Sequence, residues 1–301
     1  MSNTTYNCLW IGKSFSYVER LVILCNLRHL PPESVNLYIY DDLTDEKMFE
    51  RLVSHGLNLK DANTVVPRSE VFMNPDRPSY AAFSNLFRYK LLRDEVSRQN
   101  ISYWFDSDYI LMGEPSFDSI YLGYESKRII NGAIFGVSPN KNPHVVGKFL
   151  TRLLQVGESR IHLASNWGSL GPRLISEVLM SEFPELLNEV RRPELLYPIP
   201  YRDTFKLFTP REFESVLEKV HQSEGLHLWN EAFRGLEPSP RDLRPQFGSY
   251  IAHLVQDYDP EVVFANTSEG VVSDQSIDSL RRKVRPSLSR RISSKIRFSG
   301  L

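Results

Sequence analysis

The sequence has few cysteines, no long apolar run and no glycine-rich phosphate-binding loop. Cys8 and Cys25 are too few for a disulfide framework and lack the spacing of a metal site, so we expect buried thiols in a reducing compartment. No segment reaches the ~20 apolar residues that a membrane-spanning helix needs, and the N-terminus lacks a charged segment followed by an apolar core. These absences lead us to expect a cytoplasmic protein.

The net charge is close to zero, but the charges are unevenly distributed. The 301 residues include 36 Lys or Arg and 37 Asp or Glu. From Arg281 onward there are eight basic and no acidic residues, so the remainder holds 28 basic against 37 acidic residues, a formal charge of −9. Helical and strand-like segments recur up to about residue 260 without an obvious linker. We predict one domain over residues 1–265, followed by a linker and basic tail over residues 266–301.

The basic tail carries an apolar stripe. Val284, Leu288, Ile292 and Ile296 recur every four residues, with basic residues between them. A short basic amphipathic helix of this kind binds anionic membrane surfaces. A disordered basic tail and a contact with nucleic acid are the alternatives, although an apolar stripe serves no purpose in a contact with phosphates alone. We expect residues 281–301 to attach the protein peripherally to the inner face of the membrane, with no nucleic acid as partner.

The N-terminal part of the chain alternates strand and helix patterns. A strand is predicted over residues 7–11, a helix over residues 17–29 and a second strand over residues 35–40, which ends at Asp41 and Asp42. This succession implies parallel strands joined by a crossover helix. In such sheets, ligands bind outside the carboxyl ends of the strands. We therefore expect a ligand site at that edge of the sheet.

Within residues 101–112, a run of strand-forming residues ends in two carboxylates, Asp106 and Asp108, so we expect the pair to lie at a strand end. Residues i and i+2 of an extended segment project to the same side, so both carboxylates can approach one hard cation such as Mn²⁺ or Mg²⁺. Asp257 and Asp259 have the same spacing, but their surroundings indicate a solvated loop. The alternative for Asp106 and Asp108 is a turn at the end of the strand, where aspartate is also favoured.

A predicted helix over residues 79–93 leads into this strand. Taken together, Ser84-Asn-Leu-Phe-Arg-Tyr89 and Trp104-Phe-Asp-Ser-Asp108 resemble the sugar-binding DXD region of glycosyltransferase family 32. More distantly, they resemble the glucosyltransferase domains of large clostridial toxins. The likeness extends to Leu9-Trp-Ile-Gly12 and is limited to short pieces beyond residue 112.

The resemblance implies a set of site residues. Asp106, Asp108 and Arg88 would be catalytic, and His227 would join the two aspartates as a metal ligand. The implied donor-binding residues are Trp10, which would stack on the nucleotide base, and Asp41, Asp42, Ser84, Asn85, Arg88 and Trp229. Structural roles are the alternatives, namely a core aromatic for Trp10, a salt bridge for Arg88 and a structural histidine for His227.

Asn85 departs from the family pattern, which has an aspartate at this position. An amide still accepts hydrogen bonds through its oxygen, but it also donates them and carries no charge. We therefore expect the choice of donor or the turnover rate to differ from that of relatives.

The resemblance also implies the fold and the reaction. The expected fold is α/β, with a single GT-A-like nucleotide-sugar-binding sheet flanked by helices and with C-terminal helical additions. The expected reaction is metal-dependent transfer of a hexose or N-acetylhexosamine from a nucleotide diphosphate sugar, expected to be a UDP-sugar, to a hydroxyl of a glycan or lipid-linked glycan. We expect it to retain the donor's anomeric configuration and to serve bacterial surface polysaccharide or lipopolysaccharide synthesis. A catalytically silent, membrane-associated assembly factor and a nucleotidyltransferase are the alternatives, and the lack of a glycine-rich loop argues against the second.

Overall fold

The computed structural model describes residues 4–12, 15–40, 46–74, 76, 78–166 and 168–285. The chain forms two compact units. The first contains the described residues of Met1–Phe15, Val22–Pro198 and Gln222–His227, and the second contains those of Ser16–Leu21, Ile199–His221 and Leu228–Leu301. The division at residue 265 that the sequence suggested stays a prediction.

The first unit contains most of the regular structure. Helix α1, Tyr17–His29, belongs to this unit from Val22 onward. Its strands are β1 Thr4–Trp10, β2 Val35–Ile39, β3 Asn58–Asp61, β4 Ile101–Phe105, β5 Tyr109–Leu111, β6 Ile120–Ser126, β7 Ile129–Val137 and β8 Gly225–His227. Its further helices are α2 Glu46–Ser54, α3 Ala81–Ser97, α4 Pro143–Ser159, α5 Pro172–Glu182 and α6 Pro193–Leu196.

A six-stranded sheet organises this unit, with the order β3-β2-β1-β4-β7-β6. Strands β3, β2, β1 and β4 are parallel, and β7 and β6 are antiparallel to their neighbours. In register, Asn7 of β1 lies opposite Trp104 of β4. This parallel-rich sheet flanked by helices confirms the predicted α/β class, and it places the carboxyl ends of β1, β2 and β4 at one edge.

Burial of large aromatic side chains fixes helix α3 against the sheet. Phe87 of α3 and Trp104 of β4 are both buried, with ring centroids 6.0 Å apart. Complete burial of such side chains stabilises the fold by about 1.5–3 kcal/mol each. The same helix carries Arg88, which is buried among these apolar residues. The packing therefore brings a cation close to the end of β4.

The second unit is built from short helices and one small sheet. Its elements after residue 198 are α7 Phe213–His221, β9 Leu243–Arg244, α8 Tyr250–Val255, α9 Pro260–Val263, β10 Ser268–Val271 and α10 Asp274–Val284, with β9 and β10 paired in parallel. These helices agree with the predicted C-terminal helical additions. None of the helices formed by the described residues is long and apolar enough to cross a membrane.

Helix α10 changes the interpretation of the basic tail. Val284, predicted to be the first residue of a membrane-facing stripe, is buried in the second unit. Arg281 and Arg285 lie over the ring of Phe205, at 5.4 and 5.1 Å from its centroid. The start of the predicted tail is thus part of a folded unit, and Leu288, Ile292 and Ile296 lie outside the described residues.

Asn26 of α1 ties this helix to β5 in the first unit. Its side-chain amide donates to the Tyr109 carbonyl at 2.9 Å and its oxygen accepts from the Leu111 amide at 2.8 Å, all in the interior. Asn26→Ala leaves both backbone groups without this partner, and each unsatisfied buried group costs about 1–3 kcal/mol. We expect the free energy of unfolding in urea to fall by about 2–4 kcal/mol.

The matched control is Asn58→Ala, because the Asn58 amide donates to the Glu33 carbonyl at the surface. The control should change the free energy of unfolding by less than about 1 kcal/mol. Equal effects of the two substitutions would contradict the structural role of Asn26.

Candidate active site

The two carboxylates that follow β4 lie in a tight turn. The Tyr109 amide donates to the Asp106 carbonyl at 2.8 Å, which closes a turn through Ser107 and Asp108. Strand β4 ends at Phe105, which confirms that Asp106 and Asp108 follow a strand end, whereas the assumption that residues 106–108 are extended is wrong, because they form the turn between β4 and β5. The alternative that the sequence suggested, a turn at the end of the strand, is correct. The turn is compatible with a functional site, because the side chains of Asp106 and Asp108 both contact other polar side chains. We call residues 106–109 the acidic turn.

Asp106 is held by a cation that comes from helix α3. The Arg88 guanidinium donates through Nη2 to Asp106 Oδ1 at 2.7 Å, and the Trp104 indole donates to the same oxygen at 2.7 Å. Arg88 Nη1 also donates to the Gly132 carbonyl of β7. A Cβ at position 132 would lie 2.8 Å from Arg88 Nη1, so this approach needs glycine. Arg88 therefore forms the salt bridge with a neighbouring carboxylate that was the alternative to a catalytic role.

Asp108 lies beside His227 on the other side of the acidic turn. Asp108 Oδ1 is 3.3 Å from His227 Nε2, and both side chains are largely buried. The pairing of β5 with β8 produces this contact, since Tyr109 lies directly opposite His227 in the antiparallel ladder. Tyr197 also packs its ring against His227, with centroids 5.8 Å apart. The structure therefore brings together two of the three residues expected to bind a metal, although 119 positions separate them in the sequence.

The charges around the acidic turn affect one another. Burial raises the pKa of the Asp106 carboxyl above its ordinary value, although the Arg88 guanidinium acts in the opposite direction. The nearby Asp108 carboxylate raises this pKa further, and the Trp104 hydrogen bond and His227 lower it. Nearby like charges disfavour ionisation. A second cation bound beside the two carboxylates would therefore relieve an existing repulsion.

Trp10 lies at the end of β1, as predicted, and is half-buried. Its indole meets Phe15 edge to face, with ring centroids 4.7 Å apart. Its Nε1 is buried and has no hydrogen-bond partner among the described residues. Because the Trp10 side chain is partly exposed, its indole is accessible to a nucleotide base, and its stacking role stays a prediction. Asp41 and Asp42, which follow β2, lie outside the described residues.

Two further predicted donor-binding residues lie on helix α3. Ser84 is half-buried, and the Asn85 amide donates to the Ala81 carbonyl one turn earlier, at 2.8 Å. A Cβ at Gly171 would lie 2.9 Å from both polar atoms of the Asn85 side chain, so Asn85 packs against the segment that leads into α5. Its contact with a donor sugar stays a prediction.

Trp229 belongs to the second unit. It has a left-handed backbone, with φ of 58°, which is uncommon for an aromatic residue. Its indole donates to the Ile199 carbonyl at 2.8 Å and lies edge to face with Tyr201. The side chain thus has structural contacts within its own unit, and its donor-binding role stays a prediction.

Further polar side chains that were not among the predicted site residues lie near the acidic turn. Glu125 of β6 accepts from the Asn131 amide of β7 at 2.6 Å, and the Tyr197 hydroxyl donates to the Asn131 carbonyl at 3.2 Å. Asn131 and Tyr197 lie beyond residue 112, where the likeness to family 32 is limited to short pieces. A polar Asn-Gly pair inside an apolar strand was the signal available for Asn131, whereas Glu125 had none.

A groove of about 710 Å³ also lies on the first unit, between the C-terminal ends of α3 and α5 and the outer face of α4. Its lining includes Arg93, Lys148, Arg152 and Glu182, and it contains no residue of the acidic turn. Because β4 begins just after α3 ends, this groove lies toward the amino ends of the parallel strands. The groove is therefore separate from the ligand site that is expected at the carboxyl ends of these strands.

The buried position of Arg88 makes its contribution to stability testable. Arg88→Ala removes an arginine side chain that is 5% exposed and leaves the Asp106 carboxylate, which is 29% exposed, without its ion partner. Breaking a buried pair by removing one partner costs about 3–5 kcal/mol. We expect urea unfolding, followed by fluorescence, to show a loss of at least about 3 kcal/mol.

Arg93→Ala is the control on the same helix, because the Arg93–Asp94 pair is about one-third exposed at both partners. Exposed pairs contribute about 0–1 kcal/mol. A loss for Arg88→Ala no larger than that for Arg93→Ala would refute the buried-pair role.

Comparison with known proteins gives one family match. Residues 162–266 match the family model described as the alpha 1,4-glycosyltransferase conserved region. No curated protein matches the chain. The chain is also similar to a solved structure described as PaToxG glycosyltransferase, with 16% identity, a TM-score of 0.41, and coverage of 62% of this chain and 73% of that one.

A second similar structure is described as a glycosyltransferase involved in glycosylation of the major capsid of PBCV-1. It has 12% identity and a TM-score of 0.37, with coverage of 75% of this chain and 94% of that one. The family match lies entirely beyond residue 112, where the sequence analysis found only short pieces of likeness. It confirms the predicted resemblance to glycosyltransferases, and the chain is a glycosyltransferase.

Proposed function

We propose that this glycosyltransferase moves a hexose or N-acetylhexosamine from a nucleotide diphosphate sugar to a glycan hydroxyl, with the acidic turn at the reaction centre. The observation that carries the proposal is the contact between Asp108 and His227 beside the Arg88–Asp106 pair. These four side chains lie where β4 ends, next to the end of β1 in the same sheet. Ligands of parallel sheets bind at such strand ends.

The donor set suits a divalent cation that is completed by substrate. No group of three or more His, Cys, Asp or Glu side chains with metal-site geometry occurs within the described part of the chain. Mg²⁺ is commonly bound by one or two carboxylates together with substrate phosphates and water. Asp108 and His227 would hold Mn²⁺ or Mg²⁺, and the second oxygen of Asp106, which accepts no hydrogen bond from the described residues, would support it. A bound ion of this kind would offset charge that develops on the diphosphate leaving group.

Arg88 is then a positioning residue. Its two terminal nitrogens hold Asp106 and the Gly132 carbonyl, and its guanidinium carbon lies 5.1 Å from the centroid of the Trp104 ring. This arrangement fixes the direction of the Asp106 carboxylate. We propose that Arg88 acts on the donor through Asp106.

Further parts of the proposal rest on the family 32 resemblance. These are a UDP-sugar as donor, stacking of Trp10 on the base, retention of the anomeric configuration, and an acceptor in bacterial surface polysaccharide or lipopolysaccharide synthesis. Membrane attachment through residues 286–301 rests on their sequence, which contains Arg290, Arg291, Lys295 and Arg297 and no acidic residue.

The metal requirement is tested by Asp108→Asn in the full-length chain. The substitution keeps the size of the side chain but removes the negative charge, so we expect transfer from UDP-sugars to fall at least about a hundredfold, in line with the loss of several kcal/mol of Lewis-acid stabilisation. Wild-type transfer should stop in EDTA and return with Mn²⁺. Asp257→Asn is the control, since Asp257 has the same two-residue spacing to a second aspartate. Full activity of Asp108→Asn in EDTA would refute the metal mechanism.

Membrane attachment is tested by deletion of residues 286–301, which leaves helix α10 intact. Basic residues near an anionic surface contribute on the order of 1 kcal/mol each, and salt screens this attraction. We expect the shortened protein to lose flotation with phosphatidylserine vesicles while it keeps transfer to a soluble acceptor. The full-length protein should detach as salt rises. Unchanged flotation after the deletion would refute the attachment.

A further inference from the structure

Glu125 occupies an irregular position in the β6–β7 hairpin. Tyr124 pairs with Ile130 and Ser126 pairs with Ile129, so Glu125 is the extra residue of a β-bulge. Bulges redirect a side chain from its regular place on the sheet and are common beside active sites. The usual alternation of side chains between the two faces of a sheet therefore does not determine where the Glu125 side chain points.

A buried amide fixes the direction of the Glu125 side chain. Asn131, which is 7% exposed, donates through Nδ2 to Glu125 Oε2 at 2.6 Å. The Asn131 side-chain oxygen accepts from the backbone amide of Ala133 at 2.8 Å, so the NH₂ group of Asn131 is the end that faces the Glu125 carboxylate. The carbonyl of Ala133 in turn accepts from the Asp106 amide at 2.7 Å. The carboxylate is thus connected through two residues of β7 to the acidic turn.

Contacts of Tyr197 connect Glu125 and its partner Asn131 to the other site residues. The Tyr197 hydroxyl donates to the Asn131 carbonyl at 3.2 Å, and its ring packs against His227 with centroids 5.8 Å apart. Burial raises the pKa of the Glu125 carboxyl, whereas the Asn131 hydrogen bond and the nearby His227 act in the opposite direction. Burial also raises the pKa of the Tyr197 hydroxyl, and Glu125 and Asp106 both add to that rise. The hydrogen bonds of Asn131 and the ring contact of Tyr197 therefore place Glu125, His227 and Tyr197 in one region of the first unit.

One oxygen of this carboxylate remains available. Oε2 accepts from Asn131, whereas Oε1 accepts no hydrogen bond from any described residue, and the side chain is half-buried. Within the same described part of the chain, Glu125 belongs to no cluster of three potential metal ligands. A fixed carboxylate with one open oxygen is a strong acceptor for hydroxyl donors. Hydroxyl groups are what a sugar presents to a protein.

We infer that Glu125 is a specificity-determining residue whose free carboxylate oxygen accepts a hydrogen bond from a hydroxyl of a sugar ring, with Asn131 as its positioning residue. This inference rests on the proposed function. A site that binds a substrate hydroxyl in this way discriminates against sugars that lack the hydroxyl or present it differently, because the half-buried carboxylate oxygen would remain unpaired. The hydroxyl belongs to the donor sugar or to the acceptor sugar, and the experiment distinguishes the two.

The test compares wild type, Glu125→Gln and Glu125→Ala in the full-length chain. Calorimetry with Mn²⁺ measures affinity for UDP and for a panel of UDP-glucose, UDP-galactose and UDP-N-acetylglucosamine, and initial rates give the KM of an acceptor. We expect unchanged affinity for UDP and for Mn²⁺. A donor contact predicts affinity for the preferred UDP-sugar at least about tenfold weaker, whereas an acceptor contact predicts an acceptor KM at least about tenfold higher. Glu125→Gln should retain the fold, since an amide oxygen can accept from Asn131.

Glu224→Gln is the matched control. Glu224 accepts a hydrogen bond at 2.6 Å from Tyr121, which lies on β6 as Glu125 does, and this substitution should leave all the measured affinities and the acceptor KM unchanged. Values within twofold of wild type for both Glu125 variants, or a loss of Mn²⁺ affinity, would overturn the inference and leave the proposed function intact. A wild-type protein that binds none of these nucleotide sugars and transfers no sugar would overturn the proposed function and the inference together.

Discussion

The buried guanidinium of Arg88 is the constraint around which the first unit is organised. A cation in an apolar interior must be paired and hydrogen-bonded, because desolvation of an unpaired charge costs several kcal/mol. Helix α3 brings Arg88 into the core, β4 supplies Asp106, and β7 supplies the Gly132 carbonyl. Three elements that are distant in sequence must therefore meet at one point. The requirement for glycine at position 132 follows from the same contact, since a Cβ there would also lie 2.7 Å from Ile175.

This arrangement leaves the site with more negative than positive charge. Asp106, Asp108 and Glu125 can each carry a negative charge, whereas Arg88 is the permanent cation among them and His227 is charged only when protonated. Repulsion between carboxylates raises pKa values, as it does at Asp106. An added divalent cation would reduce the repulsion and draw a diphosphate to the same place. The folding requirement of Arg88 and the proposed chemistry are therefore compatible, since Arg88 neutralises one of three carboxylates.

The sequence predicts the frame of the first unit well, because burial and chain connectivity determine it. Apolar strands β1, β2 and β4 follow from their composition, and the crossover helix between β1 and β2 makes them parallel. The strand end before the two carboxylates was predicted, but the conformation of residues 106–108 was harder to predict, since an extended segment and a turn share the same apolar pattern over residues 101–112. Only pairing of β5 with β8, more than a hundred residues away, separates the two.

Glu125 shows what one sequence cannot reveal. A β-bulge arises from the register between two strands, and strand composition alone does not state where an extra residue will fall. The same limit applies to the His227–Asp108 contact, although the resemblance to family 32 suggested both residues. Pairwise contacts across a fold depend on the whole packing, whereas motifs report only local spacing.

The C-terminal basic residues illustrate how folding reduces the charge available for other purposes. Lys283 of α10 donates to the Glu231 carbonyl at 3.0 Å, and Arg285, the next residue after α10, pairs with Asp203, so both side chains stabilise the second unit through their charges. Because basic residues contribute on the order of 1 kcal/mol each at an anionic surface, the number left beyond Arg285 would determine the strength of the proposed attachment. Of the eight basic residues from Arg281 onward, four lie within 286–301. Their combined attraction would be about 4 kcal/mol, which favours a reversible, salt-sensitive contact over a permanent anchor.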